Sequence, residues 1–313
     1  MKQLFLPLGL IVSVLLAITF PAGGVLIDEN NGFRIIVFII FLVSGYQTGG
    51  SGGGITPGRS LFTLLGTATI ISLLLGPVLG LLVSKIFHLP LSLAIGLLII
   101  SSAPPTVSSG VVITETSGGN AVLALFLTIA LNLLGIFTMP FILDLCLHAV
   151  GSTDIDQAAL LVKMLLLVLF PFIIGKSIRN VRQKEHVSAL WSYFNSSAVI
   201  LIVYSSISSA SGSFSMLKAG DYAQIFACSA IVHILLLLLN AQAGKALHLS
   251  SADSKALLFV NSQKTLSIAL AVLATLRIDT GNAIVVCLIF HFLQLFIDSF
   301  LAAALIKKTS TSF

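Results

Sequence analysis

The sequence predicts an all-α polytopic membrane protein of ten transmembrane helices, and three observations carry that prediction. Of its 313 residues, 57% are hydrophobic and 9% charged, where soluble domains carry about 25% charged residues. The deficit runs the length of the chain, as apolar runs long enough to cross a bilayer separated by short polar breaks. Two of these runs are interrupted in the middle, in corresponding positions of the two halves of the chain.

The ten predicted spans are 4–21, 33–48, 60–86, 91–116, 120–149, 157–178, 190–211, 221–244, 254–276 and 280–306. The first follows Met1-Lys2-Gln3 and looks like a signal peptide, but everything after it is also membrane-like, so it reads as a spanning helix. The second is short, and the third and fifth are long enough to tilt. In the fourth, Pro104 and Pro105 remove two backbone donors and clash with the preceding turn, so a straight helix cannot pass. The ninth is apolar, then polar through 261–265 (Asn-Ser-Gln-Lys-Thr), then apolar again. Unpaired backbone at membrane depth is tolerated only inside protein or beside a cavity, and paired broken helices mark the binding sites of transporters. A structural proline kink and a charged residue lining a bundle interior are the blander readings of the two segments.

Lys and Arg set the orientation. With the N-terminus inside, ten cations fall on the inner side and five on the outer, with Lys264 left in the membrane. Both termini are therefore expected in the cytoplasm of a multi-pass protein of the inner (plasma) membrane. Five spans per half make the second half enter from the opposite side. This predicts an inverted repeat, with 1–150 as the first five-helix unit, 151–313 as the second, and the polar stretch 151–156 between them.

Several motifs carry no chemistry. Residues 53–60 resemble a phosphate-binding loop, but no strand precedes them, so they read as a flexible loop. Cys146, Cys228 and Cys287 sit singly in apolar runs as small hydrophobes, and no metal spacing is present. The net charge of +5 follows membrane orientation and does not imply nucleic acid.

Intramembrane charge is a stronger signal. Lys264 lies about ten residues from each end of its span, too deep to snorkel, and needs a polar partner or a water cavity. Asp298, with Gln294 and His291 on the same helix face, reads either as a proton path or as a face that packs on a polar interior or neutralises a neighbouring cation, and the latter is preferred. His233 and Asn240 are similarly spaced on the eighth span and read as structural groups. After the proline break, Thr106, Ser108 and Ser109 offer hydroxyls, and the half-helix that follows offers amides suited to an anion. Thr128 and Asn132 lie one turn apart on the fifth span and can face the same point.

Over 103–109 (Ala-Pro-Pro-Thr-Val-Ser-Ser), Gly118-Gly119-Asn120, Pro140 and 261–265, the chain resembles the bile acid:sodium symporter family. The Pro104-Pro105 doublet, the Ser108-Ser109 pair and Lys264 look closest to the branch typified by solute carrier family 10 member 7. The resemblance implies two inverted five-helix repeats whose unwound fourth and ninth helices cross. It also implies a core moving against a smaller panel to give alternating access, both drawing on both repeats. It places ion ligands at Ser108, Ser109, Thr128 and Gln263. Two family ligands, a Glu in the ninth helix and a Gln in the third, are missing here, and Lys264 follows the retained Gln263.

The expected function is secondary active transport of a small organic anion, with Pro104, Pro105, Thr106, Asn261, Gln263 and Lys264 contacting substrate. No cofactor is expected; Na+ is the ion candidate, and Lys264 is expected to take its place. The lipid bilayer and the anion are the expected partners, and the oligomeric state is open. The rival readings are a cation/proton antiporter, for which neither broken segment offers a carboxylate, and an intramembrane hydrolase pairing Ser262 with Lys264.

Overall fold

The computed structural model describes residues 2–30, 32–48, 59–106, 109–151, 156–181, 189–209, 217–273, 276 and 281–310. Every regular element among them is helical. Ser108, most of the glycine-rich stretch 53–60, residues 152–155, Arg182, Lys184 and Arg277 lie outside the described residues.

The chain begins with α1 (Lys2–Thr19) and α2 (Pro21–Glu29). Sequence reading made the second of these a loop; Pro21 heads it because the first helical position needs no backbone donor. Next come α3 (Gly32–Thr48), α4 (Arg59–Thr69) and α5 (Gly76–Ile86), the last two joined by a π-helical turn over Ile70–Leu75. The fourth predicted span is two half-helices, α6 (Leu91–Ser102) and α7 (Ser109–Thr116). The long α8 (Ala121–Ala149) follows, then α9 (Gln157–Met164) and α10 (Phe170–Val181), joined by a second π turn, Leu165–Leu169. The rest is α11 (Ala189–Ser209), α12 (Ala219–Ala246), the half-helices α13 (Ser251–Ser262) and α14 (Leu266–Leu273), and α15 (Gly281–Ser310).

Each π turn precedes a proline by one residue: Gly76-Pro77 and Phe170-Pro171. A proline ring clashes with the carbonyl four residues back, and widening the turn relieves the clash. Polar caps close several helix ends. Asn120 Oδ1 accepts from Leu123 N at 3.0 Å, and Asp156 Oδ1 accepts from Ala159 N at 2.9 Å. His88 and His248, each three residues after a lysine near its helix end, adopt φ of 50° and turn the chain into the next half-helix.

Among the described residues, six helices are long and apolar enough to cross a membrane: Ser60–Ile86, Ala121–Ala149, Gln157–Val181, Ala219–Ala246, Ser251–Leu273 and Asn282–Ile306. Together with the large apolar side chains on the surface, such as Phe62, Leu145, Phe170 and Phe300, they make this a polytopic membrane protein. The helices pack in two groups. In one, α3 crosses α10 and α11 packs on α1, α2 and α3; in the other, α13 and α14 lie among α6, α7, α8, α12 and α15. At the α3–α10 crossing, Gly45 lies against Phe172 O and Gly175 against Leu42 O, so neither position has room for a Cβ. The innermost span is Ser251–Leu273: 89% of its apolar window is buried, against 28% for Gln157–Val181. The centre of the second group is thus the place where a polar cluster can be withheld from lipid.

Candidate functional site

The two breaks meet. After α6, Ala103 turns extended (φ −63°, ψ 144°), as the residue before a proline must. After α13, Gln263 turns extended in the same way (φ −75°, ψ 152°), although no proline lies nearby. Thr265 N donates to Pro104 O at 2.9 Å, joining one break directly to the other. The second break is held open by α15: Gln294 Oε1 accepts from Lys264 N, and Gln294 Nε2 donates to Lys264 O, both at 2.8 Å. One side-chain amide replaces the helical partners that both backbone groups lose, as a low-dielectric interior requires.

Gln263 is the hub of the crossing. Its Oε1 accepts from Ser109 Oγ at 2.7 Å, and its Nε2 donates to Asp298 Oδ2 at 2.6 Å. Asp298 Oδ1 bonds His233 Nε2 at 2.8 Å. Gln263, Asp298 and His233 are fully buried. Thr106, 7% exposed, places Oγ1 3.2 Å from Ser109 Oγ and extends the chain of polar groups to the first break. Asn261, one turn before the break, donates to Asn240 Oδ1 on α12 at 2.6 Å.

Lys264 points the other way, toward the π turn of the third span. Its Nζ donates to Ser72 O at 2.6 Å and lies 3.1 Å from Ser72 Oγ. The cause is local: Gly76 N bonds Ile71 O, so the same five-residue register would pair Ser72 O with the amide of residue 77, which is a proline. The carbonyl orphaned by Pro77 receives the Lys264 Nζ instead, so neither buried group is left unpaired. Lys264 is fully buried, and a Cβ on Gly76 would stand 2.9 Å from its Nζ.

Thr128 donates to Ala124 O within its own helix at 2.8 Å and so is not tied to the crossing. With Asn132 it lines a narrow groove between the two helix groups; Phe41, Ile136, Val168 and Phe172 supply apolar walls. Asn132 Nδ2 donates to Pro105 O at 2.9 Å, which links groove and break, and its Oδ1 has no hydrogen-bond partner among the described residues.

Of the residues singled out in the sequence, Pro104, Thr106, Ser109, Gln263 and Lys264 gather at the crossing. Asn261 turns to α12, Pro105 presents its carbonyl to Asn132, and Thr128 faces the groove. Asp298 is where sequence reasoning fell short: it reaches the crossing from α15 and supplies the carboxylate that both broken segments lack. Ser72 and the tie between Gln294 and the Lys264 backbone were also missed; Pro77 was the available signal for Ser72. Ser262 Oγ bonds Leu258 O in its own helix while Lys264 bonds Ser72, so the nucleophile and base of a hydrolase are not paired.

Comparison with known proteins places the chain among transporters. Residues 4–307 match the SBF-like CPA transporter family. The probable sodium/metabolite cotransporter BASS4, chloroplastic, of Arabidopsis thaliana is 30% identical, over 97% of this chain and 73% of its own. The putative symporter YfeH of Escherichia coli is 26% identical over 96% of this chain and 92% of its own. Sodium/bile acid cotransporter 7 of Xenopus tropicalis is 30% identical over 115 residues, 35% of this chain and 32% of its own.

Proposed function

The chain belongs to the SBF-like CPA transporter family, one of transporters and not of enzymes, and on that premise we propose that it is a secondary active transporter of a small organic anion working by alternating access. The observation that carries this reading is the Thr265–Pro104 hydrogen bond between two broken helices. It brings the N-termini of α7 and α14, each the positive end of a helix, toward one point at the crossing. Substrate enters along the Thr128–Asn132 groove and is bound at Pro104, Pro105, Thr106, Asn261, Gln263 and Lys264.

The architecture of this reading is ten spans in two inverted repeats, 1–150 and 151–313. Element spacing supports it. Leu91–Ser102 and Ser251–Ser262 are both 12 residues long and begin 160 residues apart, and Ala121–Ala149 and Gly281–Ser310 begin 160 apart as well. The left-handed His88 and His248 keep the same spacing. The helix group around α13 is the core and the group around α3, α10 and α11 is the panel. Both termini face the cytoplasm of a plasma membrane, and the likeness to cotransporter 7 extends over 35% of the chain.

Lys264 takes the part of a bound Na+. Its ammonium is fixed on a backbone carbonyl of the third span, where a family Gln is missing. Two unit charges about 4 Å apart repel by about 4 kcal/mol at an effective dielectric of 20, nearly three decades of ion affinity. Ser109, Thr128 and Gln263, with Ser108, are then freed from ion binding. Thermal stabilisation of the purified protein by a panel of organic anions, with and without Na+, tests both points. Stabilisation by an anion in the absence of Na+, lost in Lys264→Met and Lys264→Gln, is the expected result. Survival of binding in both variants, or saturable Na+ dependence in the wild type, overturns the reading.

A further inference from the structure

The polar chain from α12 to the crossing holds a titratable pair that the transport reading leaves unused. His233 and Asp298 are fully buried, joined at 2.8 Å, with Phe290 edge-on to the imidazole at 6.2 Å. Among the described residues, His233 Nδ1 has no hydrogen-bond partner. We propose that the His233–Asp298 pair is a proton-binding site, and that Gln263 relays its protonation state to Ser109 at the helix crossing.

The hydrogen-bond pattern fixes where a proton goes. An ionised Asp298 would accept on both oxygens, Oδ1 from His233 Nε2 and Oδ2 from Gln263 Nε2. A proton added at His233 Nδ1 would become a buried donor without an acceptor, which is costly. A proton added at Asp298 Oδ2 meets the Gln263 amide, whose NH2 group then faces an O–H, donor against donor. The amide relieves this by turning half a revolution. Gln263 Oε1 now accepts from Asp298, and Nε2 now donates to Ser109 Oγ. Ser109, until then the donor to Gln263, becomes its acceptor, and its hydroxyl hydrogen is free to point toward Thr106 Oγ1 or a bound solute. One proton on Asp298 thus redirects one hydroxyl at the first break.

The same proton changes the charge of the crossing. With Asp298 ionised, a full negative charge sits against Gln263 at the crossing. With Asp298 neutral that charge is gone, repulsion of an anion at the crossing falls, and proton and anion bind together. This consequence for cargo rests on the anion-transport reading; the proton site does not.

Other titratable groups lie on the elements packed against α12 and α15, including Tyr193 of α11 and Tyr222 in the first turn of α12, and buried His291 Nε2 also has no hydrogen-bond partner among the described residues. Lys264 is held by Ser72, and His291 Nδ1 lies 2.9 Å from Gln294 Nε2. Cys228 is buried on α12, and Cys287 bonds Gly96 O. Lys85, Glu115, Asp253 and Lys255 sit in the terminal turns of α5, α7 and α13, Asp221 and Lys245 in those of α12, and α6 and α14 carry none. Tyr204 of α11 donates to Phe20 O.

The test is infrared difference spectroscopy of the full chain in nanodiscs between about pH 5 and 9, with carbon-13-labelled Asp in one sample and carbon-13-labelled Gln in another. Acidification is expected to raise one protonated-carboxyl band of a single residue's intensity, together with a shift of one Gln amide band. Asp298→Asn is expected to lose both, Gln263→Met the second, and His233→Gln to move the midpoint of the first. The wild-type spectra decide even if a variant fails to fold. A wild type with no titrating Asp band, or a band that survives in Asp298→Asn, overturns the proton site. A titrating Asp298 with an unmoved Gln263 amide overturns the relay. Neither result depends on an anion, so failure of the anion panel remains a separate finding.

Discussion

Substituting Gln294 by Leu tests whether one side chain holds the second helix open. Gln294 is fully buried, and its amide takes both the N–H and the C=O of Lys264 at 2.8 Å. Leu is of similar volume and leaves no large cavity, so the lost hydrogen bonds dominate. Each stranded backbone group costs roughly 1–3 kcal/mol, or about 2–6 kcal/mol for the pair. At roughly 2–4 °C per kcal/mol for a long chain, melting of the purified protein should fall by about 4–24 °C. Hydrogen exchange at the Lys264 amide adds a local reading: each 1.4 kcal/mol lost speeds opening about tenfold, so acceleration should be concentrated at the break. If Gln294→Leu melts within about 1 °C of wild type and the Lys264 amide stays protected, the break is held by something other than this amide.

Further expectations follow from other contacts. Gly76→Ala would place a Cβ 2.9 Å from both Lys264 Nζ and Ser101 O; it should destabilise the protein by about 1–3 kcal/mol and abolish Lys264-dependent anion binding in the thermal-shift assay. Asn120→Ala removes the cap on Leu123 N and the 2.8 Å bond to Asp253 that ties the start of α8 to α13; a loss of about 1–2 kcal/mol in thermal or denaturant unfolding is expected, and Asn120→Asp should keep the cap but set two carboxylates together. Single cysteines introduced within 176–186 should react with an impermeant maleimide from the cytoplasmic side and those within 152–156 from the outside. The native cysteines, all buried, leave a low background. The opposite pattern would reverse the proposed orientation.

The sequence by itself determined the helical membrane class, the position of nearly every helix and the location of both breaks. The reason is that lipid leaves the backbone few options: apolar runs must be helical, and a proline pair or a polar run in such a run must interrupt the helix. The π turns were not read from the sequence, although Pro77 and Pro171, each separated from its turn by one residue, carried the signal. Partners of the buried polar groups were not legible. Asp298, His233 and Gln294 sit on two different helices, and helical spacing says which face they share but not which break that face meets. Lys264 could be seen to need a partner, yet Ser72 lies 192 residues earlier in the chain. Only the tertiary packing decided that Lys264 turns to the third span while Gln263 turns to Asp298. A buried charge or amide must be paired, and which partner it takes depends on which helices the fold brings within about 3 Å of it.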